Sequence, residues 1–249
     1  MQNPFIWHDL MTNDVEAAKK FYGAVVGWTF TNQMHDYTVA NVDGIGMGGI
    51  MATPPEMKNM PPVWNGYIFS PDVDAACQQA VSLGGKIYRA AWDVPEVGRM
   101  AVIGDPTGAG LIVMQPLSTG QQPTPKLGAV GTVGWNELHA GDLGAAWDFY
   151  SKMFGWTKGS EHDMGPAGQY LLFQIDGKDH GGMMKKMDST PMPTWAYYFN
   201  VDGIDAAAAR ITKAGGKITH GPHEVPGGQW TIGALDPQGA LFHLVSETK

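Results

Sequence analysis

Cysteine is nearly missing from this chain: Cys77 stands alone among 249 residues. One thiol makes no internal disulfide, so the fold does not rest on cross-links, and the usage fits a reducing compartment. Positive charge is scarce as well. Sixteen Lys and Arg face 24 Asp and Glu, a net charge of −8, and the basic residues form no run. Nucleic acids and anionic membranes are gripped by such runs, so neither is expected as a partner. Long apolar stretches are absent too, because Gly and Pro interrupt each one before it reaches bilayer length. The first five residues, Met1 to Phe5, carry no basic patch leading into an apolar core. No secretory signal is read, and a cytoplasmic location is expected.

What remains is ordinary globular composition, 43% hydrophobic and 16% charged, in a length that suits one large domain or two small ones. The organising signal is a repeat. Trp7-His8-Asp9-Leu10 with Asp14, Ala18, Phe21, Tyr22, Gly27 and Trp28 recurs as Trp135-Asn136-Glu137-Leu138 with Asp142, Ala146, Phe149, Tyr150, Gly155 and Trp156. A second block, Trp64, Tyr67, Val73-Asp74-Ala75-Ala76, Gly84-Gly85-Lys86-Ile87 and Asp105-Pro106, also returns. Its copies are Trp195, Tyr198, Ile204-Asp205-Ala206-Ala207, Gly215-Gly216-Lys217-Ile218 and Asp236-Pro237. The two offsets, 128 and 131 residues, identify one duplicated unit. Between the copies, Gln115 to Pro125 holds three prolines and no periodicity, as a linker does. The expected domains are 1–118 and 131–249, with 119–130 joining them.

Each copy divides again. Phe5–Met11 alternates like a strand, Asp14 caps a helix that closes before Gly27, and strands Tyr37–Val42 and Ile45–Met51 flank an Asp43-Gly44 turn. The order then returns: strand Trp64–Phe69, helix Val73–Leu83, and strands near Lys86–Ala90, Met100–Gly104 and Gly110–Met114. A βαβββ pattern occurring four times predicts an α+β fold, its curved sheets wrapped around cavities.

Four such modules, with Asp-x-x-x-Ala-x-x-Phe-Tyr after the first strand and Asp-Pro-x-Gly before the last, resemble the glyoxalase/bleomycin-resistance/extradiol-dioxygenase (vicinal oxygen chelate) superfamily. The resemblance covers nearly the whole chain and implies two tandem glyoxalase-like domains. It also implies four metal-donor positions per cavity, filled in metal-dependent relatives by His, Glu or Gln. Here the first positions hold Trp7 and Trp135, the third Asn65 and Ala196, and the fourth Ile112 and His243. The strands expected to carry the second, Ile45–Thr53 and Gly181–Met187, have no His or carboxylate. His243 is thus the single conventional donor at these positions. The resemblance further implies that modules pair across copies. That sets Trp7, Asp9 and Met11 opposite Ala196, Tyr198 and His243, and Trp135, Glu137 and His139 opposite Asn65, Tyr67 and Ile112.

Three functions stay open. In the first, a small hydrophobic or aromatic ligand sits in Trp-lined cavities touching Trp7, Trp135, Asn65, Tyr67 and Tyr198, with no cofactor. In the second, a lyase or dioxygenase-type enzyme works through His243 and Asp9, as metal ligands or as an acid–base pair. There His243 holds a divalent ion (Fe, Zn, Ni or Mn), and Glu137 with His139 form a base and its orienter. In the third, the fold is an interaction module without a ligand. A monomer or homodimer suits all three. Asp9 and Glu137 also have a plain reading, as inward carboxylates paired with a neighbouring strand. His8, of opposite parity to Trp7, belongs to the core, and so do Trp28, Trp156 and the strand methionines Met47, Met51, Met183 and Met184. Trp92 and Trp230 are expected in loops, His180 in solvent, and His220-Gly221-Pro222-His223-Glu224 in a solvated loop. Cys77 reads as a small buried hydrophobe.

Overall fold

A computed structural model describes residues 2–32, 37–117, 126, 128–188 and 190–249. The first copy of the repeat forms β1 (Phe5–Thr12), α1 (Val15–Val26), β2 (Thr29–Asn32), β3 (Thr38–Val42), β4 (Ile45–Ala52), β5 (Val63–Phe69), α2 (Val73–Ser82), β6 (Lys86–Val94), β7 (Gly98–Gly104) and β8 (Gly110–Pro116). The second forms β9 (Val133–Ala140), α3 (Leu143–Phe154), β10 (Thr157–Asp163), β11 (Gln169–Ile175), β12 (Lys178–Lys185), β13 (Thr194–Asn200), α4 (Ile204–Lys213), β14 (Lys217–Glu224), β15 (Trp230–Leu235) and β16 (Leu241–Ser246).

Three of the four described α-helices, α1 to α3, start where the sequence offers an Asp cap. Asp14, Asp72 and Asp142 accept hydrogen bonds from the backbone N–H of Ala17 (3.0 Å), Ala75 (2.9 Å) and Ala145 (2.8 Å), satisfying donors that a first turn leaves open. α1 and α3 end at Gly27 and Gly155, whose φ angles of 89° and 71° lie in the left-handed region that glycine enters without strain. Between cap and stop, α1 buries Ala18, Phe21, Tyr22, Val25 and Val26, one stripe at helical spacing, and α3 repeats it with Ala146, Phe149, Tyr150, Met153 and Phe154.

The strands make two open, curved eight-stranded sheets, ordered β2-β3-β4-β1-β5-β8-β7-β6 and β10-β11-β12-β9-β13-β16-β15-β14. Each sheet comes from one copy of the repeat, and within it β1 runs parallel to β4 and β5 to β8, as β9 does to β12 and β13 to β16. The fold is α+β, with two tandem domains. Compactness groups the modules across copies. One unit holds Met1–Trp7, Gly66–Gln121 and Asn136–Trp195; the other holds His8–Asn65, Gln122–Trp135 and Ala196–Lys249. The division runs through β1, β5, β9 and β13.

In the second of these units Tyr22 is fully buried, donates to Asp236 at 3.2 Å and receives a bond from Trp64 Nε1 at 3.0 Å. Asp236 Oδ1 also accepts from the backbone N–H of Gln238 and Ala240. Burial pushes the Asp236 carboxyl up from 3.8, and burial together with the Asp236 charge pushes the Tyr22 hydroxyl well above 10.0. Both folded values exceed the unfolded ones. The stability each contributes is therefore whole below its ordinary value and is lost as pH rises through the folded one. Urea midpoints taken from pH 3 upward will show the native chain losing stability relative to Asp236→Asn as pH rises. Parallel curves would remove this account.

Three expectations change. His220-Gly221-Pro222-His223-Glu224 ends β14 rather than forming a loop, because register shifts at 218/220 and 220/223 let this edge strand absorb Gly and Pro. Trp92 and Trp230 lie on β6 and β15, Trp92 paired with Met100 and Trp230 with Ser246. His180 sits half-buried on β12, where burial lowers its imidazole. His8 is buried edge-on against Tyr197 at 4.7 Å, and Trp28 and Trp156 are core residues. Cys77 is half-buried, and burial followed by the Asp74 charge raises its thiol, which disfavours the reactive thiolate.

Candidate ligand-binding faces

Asp9 is 1% exposed on β1, beside Gly49 of β4. A buried carboxylate needs hydrogen bonds, and both oxygens have them: Oδ1 accepts from Asn65 Nδ2 at 3.2 Å and Oδ2 from the Tyr37 hydroxyl at 3.4 Å. The ring of Tyr37 reaches this point because residue 49 lacks a Cβ, which would stand where the hydroxyl stands. The other unit repeats the device. Glu137, on β9 beside Gly182 of β12, accepts from the Tyr170 hydroxyl at 2.7 Å, and a Cβ on Gly182 would occupy the place of that ring. Sequence reasoning missed both tyrosines. The signal was present: Tyr37 to Tyr170 and Gly49 to Gly182 share one offset, 133 residues.

The two copies differ beside the carboxylate. In the second, His139 Nε2 lies 3.0 Å from Glu137 Oε1, whereas the repeat places Met11 at the corresponding position of the first. An ionised carboxylate only accepts, so the imidazole donates from Nε2, and in the neutral ring the lone pair then sits on Nδ1. That Nδ1 is buried and meets no hydrogen-bond partner among the described residues. A carboxylate that fixes a histidine tautomer is how a general base is oriented.

The aromatic candidates divide by unit. Tyr67, Met100, Ile112 and Met114 form a buried cluster against which Trp7, Trp92, Val94 and Val102 pack, partly exposed. In the other unit Tyr198 and His243, cross-strand neighbours on β13 and β16, stack at 4.5 Å and 27°. The His243 ring leans over Gly233 of β15, where a Cβ would come within 3.2 Å of Cδ2 and Nε2. Trp135 is half-buried on β9. The compact units group Asp9 and Met11 with Ala196, Tyr198 and His243, and Glu137 and His139 with Tyr67 and Ile112, as the cross-copy pairing sets them. Trp7, Trp135 and Asn65 fall in the other unit from the one expected. Within the sheets, Asn65 bonds to Asp9, and Tyr67 and Ile112 pack with Trp7.

The donor set fits a transition metal poorly. Such ions take three or four N, O or S ligands from a protein. Among the described residues no three of His, Cys, Asp and Glu are grouped to hold one, and both Asp9 oxygens are engaged. Two cavities, of about 380 and 280 Å³, are lined by other residues, among them Asn41, Asp43 and Val130 in the first and Asp72, Gln79 and Met153 in the second. No described helix is long and apolar enough to cross a membrane.

A family model described as "Glyoxalase/Bleomycin resistance protein/Dioxygenase superfamily" matches residues 5–113 and 132–244. "Putative glyoxylase CFP32" of Mycobacterium tuberculosis is 34% identical over 96% of this chain and 93% of its own length. "Anthracycline biosynthesis protein DnrV" of Streptomyces peucetius is 31% identical over 96% and 91%. Among solved structures, the Mn(II)-bound glyoxalase from Novosphingobium aromaticivorans superposes with a TM-score of 0.70 at 16% identity, covering 100% of this chain and 83% of that one. A substrate complex of homoprotocatechuate 2,3-dioxygenase from Brevibacterium fuscum gives 0.70 at 12%, covering 100% and 82%. At such identities the likeness is one of fold.

Proposed function

This chain belongs to the Glyoxalase/Bleomycin resistance protein/Dioxygenase superfamily, and from that premise we propose that it binds a small hydrophobic or aromatic molecule on its Trp-bearing faces without the metal its relatives use. One observation carries the reading: tyrosine hydroxyls close over Gly49 and Gly182, on the strands expected to bring the second donor, and tie up Asp9 and Glu137. Trp7, Asn65 and Ile112 at other donor positions point the same way. The partly exposed Trp7 and Trp92 over Tyr67 and Met100 supply an apolar seat of the kind that holds planar ligands. The relative named for anthracycline biosynthesis is in keeping with small-molecule work.

Two measurements test this. Titration with 1-anilinonaphthalene-8-sulfonate, read by quenching of tryptophan emission, will saturate, and Trp7→Ala will weaken it about tenfold. Elemental analysis of untagged protein and of His243→Ala will show no metal whose loss follows the substitution. A stoichiometric first-row metal that disappears with His243 would sink the proposal.

The Glu137–His139 pair favours a second reading, acid–base catalysis in that unit, with Nδ1 taking the proton of a bound substrate. The alternative built on Asp9 and His243 has less support, since Asp9 is already held by Asn65 and Tyr37.

A further inference from the structure

β14 is an edge strand carrying two exposed histidines, His220 and His223. Strand alternation puts residues three apart on opposite faces. The register overturns that here. His220 pairs with Gly233 and His223 with Thr231, partners two apart that share a face, so β14 holds one residue more than β15 between the two pairs. The bulge depends on Gly221, whose φ is +88° and whose missing Cβ leaves room for the Thr231 carbonyl. Its effect is to bring the two imidazoles side by side, with ring centroids 4.1 Å apart and planes at 55°.

We propose that His220 and His223 form a surface chelate for a divalent transition metal of the copper, nickel or zinc class, with water filling the remaining positions. Imidazole nitrogen is the ligand these ions share, and an exposed edge leaves their other coordination positions open to water. Two protein donors are fewer than a structural centre takes, so the ion exchanges freely and the fold does not depend on it. The site is independent of the ligand reading above. It also bears on its metal analysis, because an ion held here reports nothing about His243.

The test is calorimetric titration of the untagged full-length chain with CuCl2, NiCl2 and ZnCl2. One ion binds per chain, copper more tightly than nickel, and His220→Asn or His223→Asn weakens binding about tenfold or more. A readout on the native chain avoids any folding effect of substitution: zinc will slow carbethoxylation by diethyl pyrocarbonate at His220 and His223, mapped by mass spectrometry. The proposal is overturned if the native chain shows no saturable binding, or if zinc protects neither residue. It is equally overturned if affinity survives in the double variant, or is lost in His243→Ala instead.

Discussion

Replacing Trp156 with alanine is expected to cost about 3–5 kcal/mol, the range for deleting a large buried aromatic. Trp156 is 3% exposed and stacks on Phe173 at 4.3 Å and 11°. It also lies parallel to Tyr150 at 5.9 Å and donates from Nε1 to the Asn3 carbonyl at 2.8 Å. Truncation opens a cavity walled by stiff rings that cannot collapse into it, and strands the Asn3 carbonyl that anchors the start of the chain. Phenylalanine keeps the stacking and loses the hydrogen bond, so Trp156→Phe should cost much less. Equilibrium urea unfolding separates the two. Equal losses would mean that the hydrogen bond, not the packing, carries the position.

Much of this was legible beforehand because it is local. Asp14 and Asp142 as caps, Gly27 and Gly155 as stops, and the Phe21-Tyr22 and Phe149-Tyr150 pairs all act within a few residues of chain. Their recurrence therefore spelled out four modules. The Glu137–His139 contact was legible for the same reason: two residues apart on a strand share a face. What escaped depends on register between strands. Nothing near Tyr37 says that its ring will lie over Gly49, and nothing near Asn65 says that β5 will lie beside β1 and hand its amide to Asp9. His220 and His223 looked like loop residues because Gly-Pro normally ends a strand, and only the pairing with β15 reveals the bulge that keeps them in it. At Gly49 and Gly182 a missing side chain decides where the Tyr37 and Tyr170 rings settle, and a glycine in a sequence does not announce what fills its space.

Glu137→Ala is the sharpest probe of the site, with an expected loss of about 2–5 kcal/mol, the cost of leaving two inward donors without an acceptor at about 1–3 kcal/mol each. Its carboxylate is the acceptor for the Tyr170 hydroxyl at 2.7 Å and the neighbour of His139 Nε2 at 3.0 Å, so its removal leaves two inward donors without their acceptor. Asp9→Ala, where the partners Asn65 and Tyr37 form longer bonds of 3.2 and 3.4 Å, should cost only about 1–3 kcal/mol. A double-mutant cycle gives the contrast meaning. If Glu137 serves chiefly to orient His139, pairing Glu137→Gln with His139→Leu will show strong coupling, while Glu137→Gln with Tyr170→Phe shows little. If Glu137 is a brace for the sheet, the coupling moves to Tyr170 and His139 becomes dispensable. Coupling to His139 would favour acid–base chemistry in this unit; coupling to Tyr170 would return the carboxylate to structure and leave the aromatic faces as the seat of function.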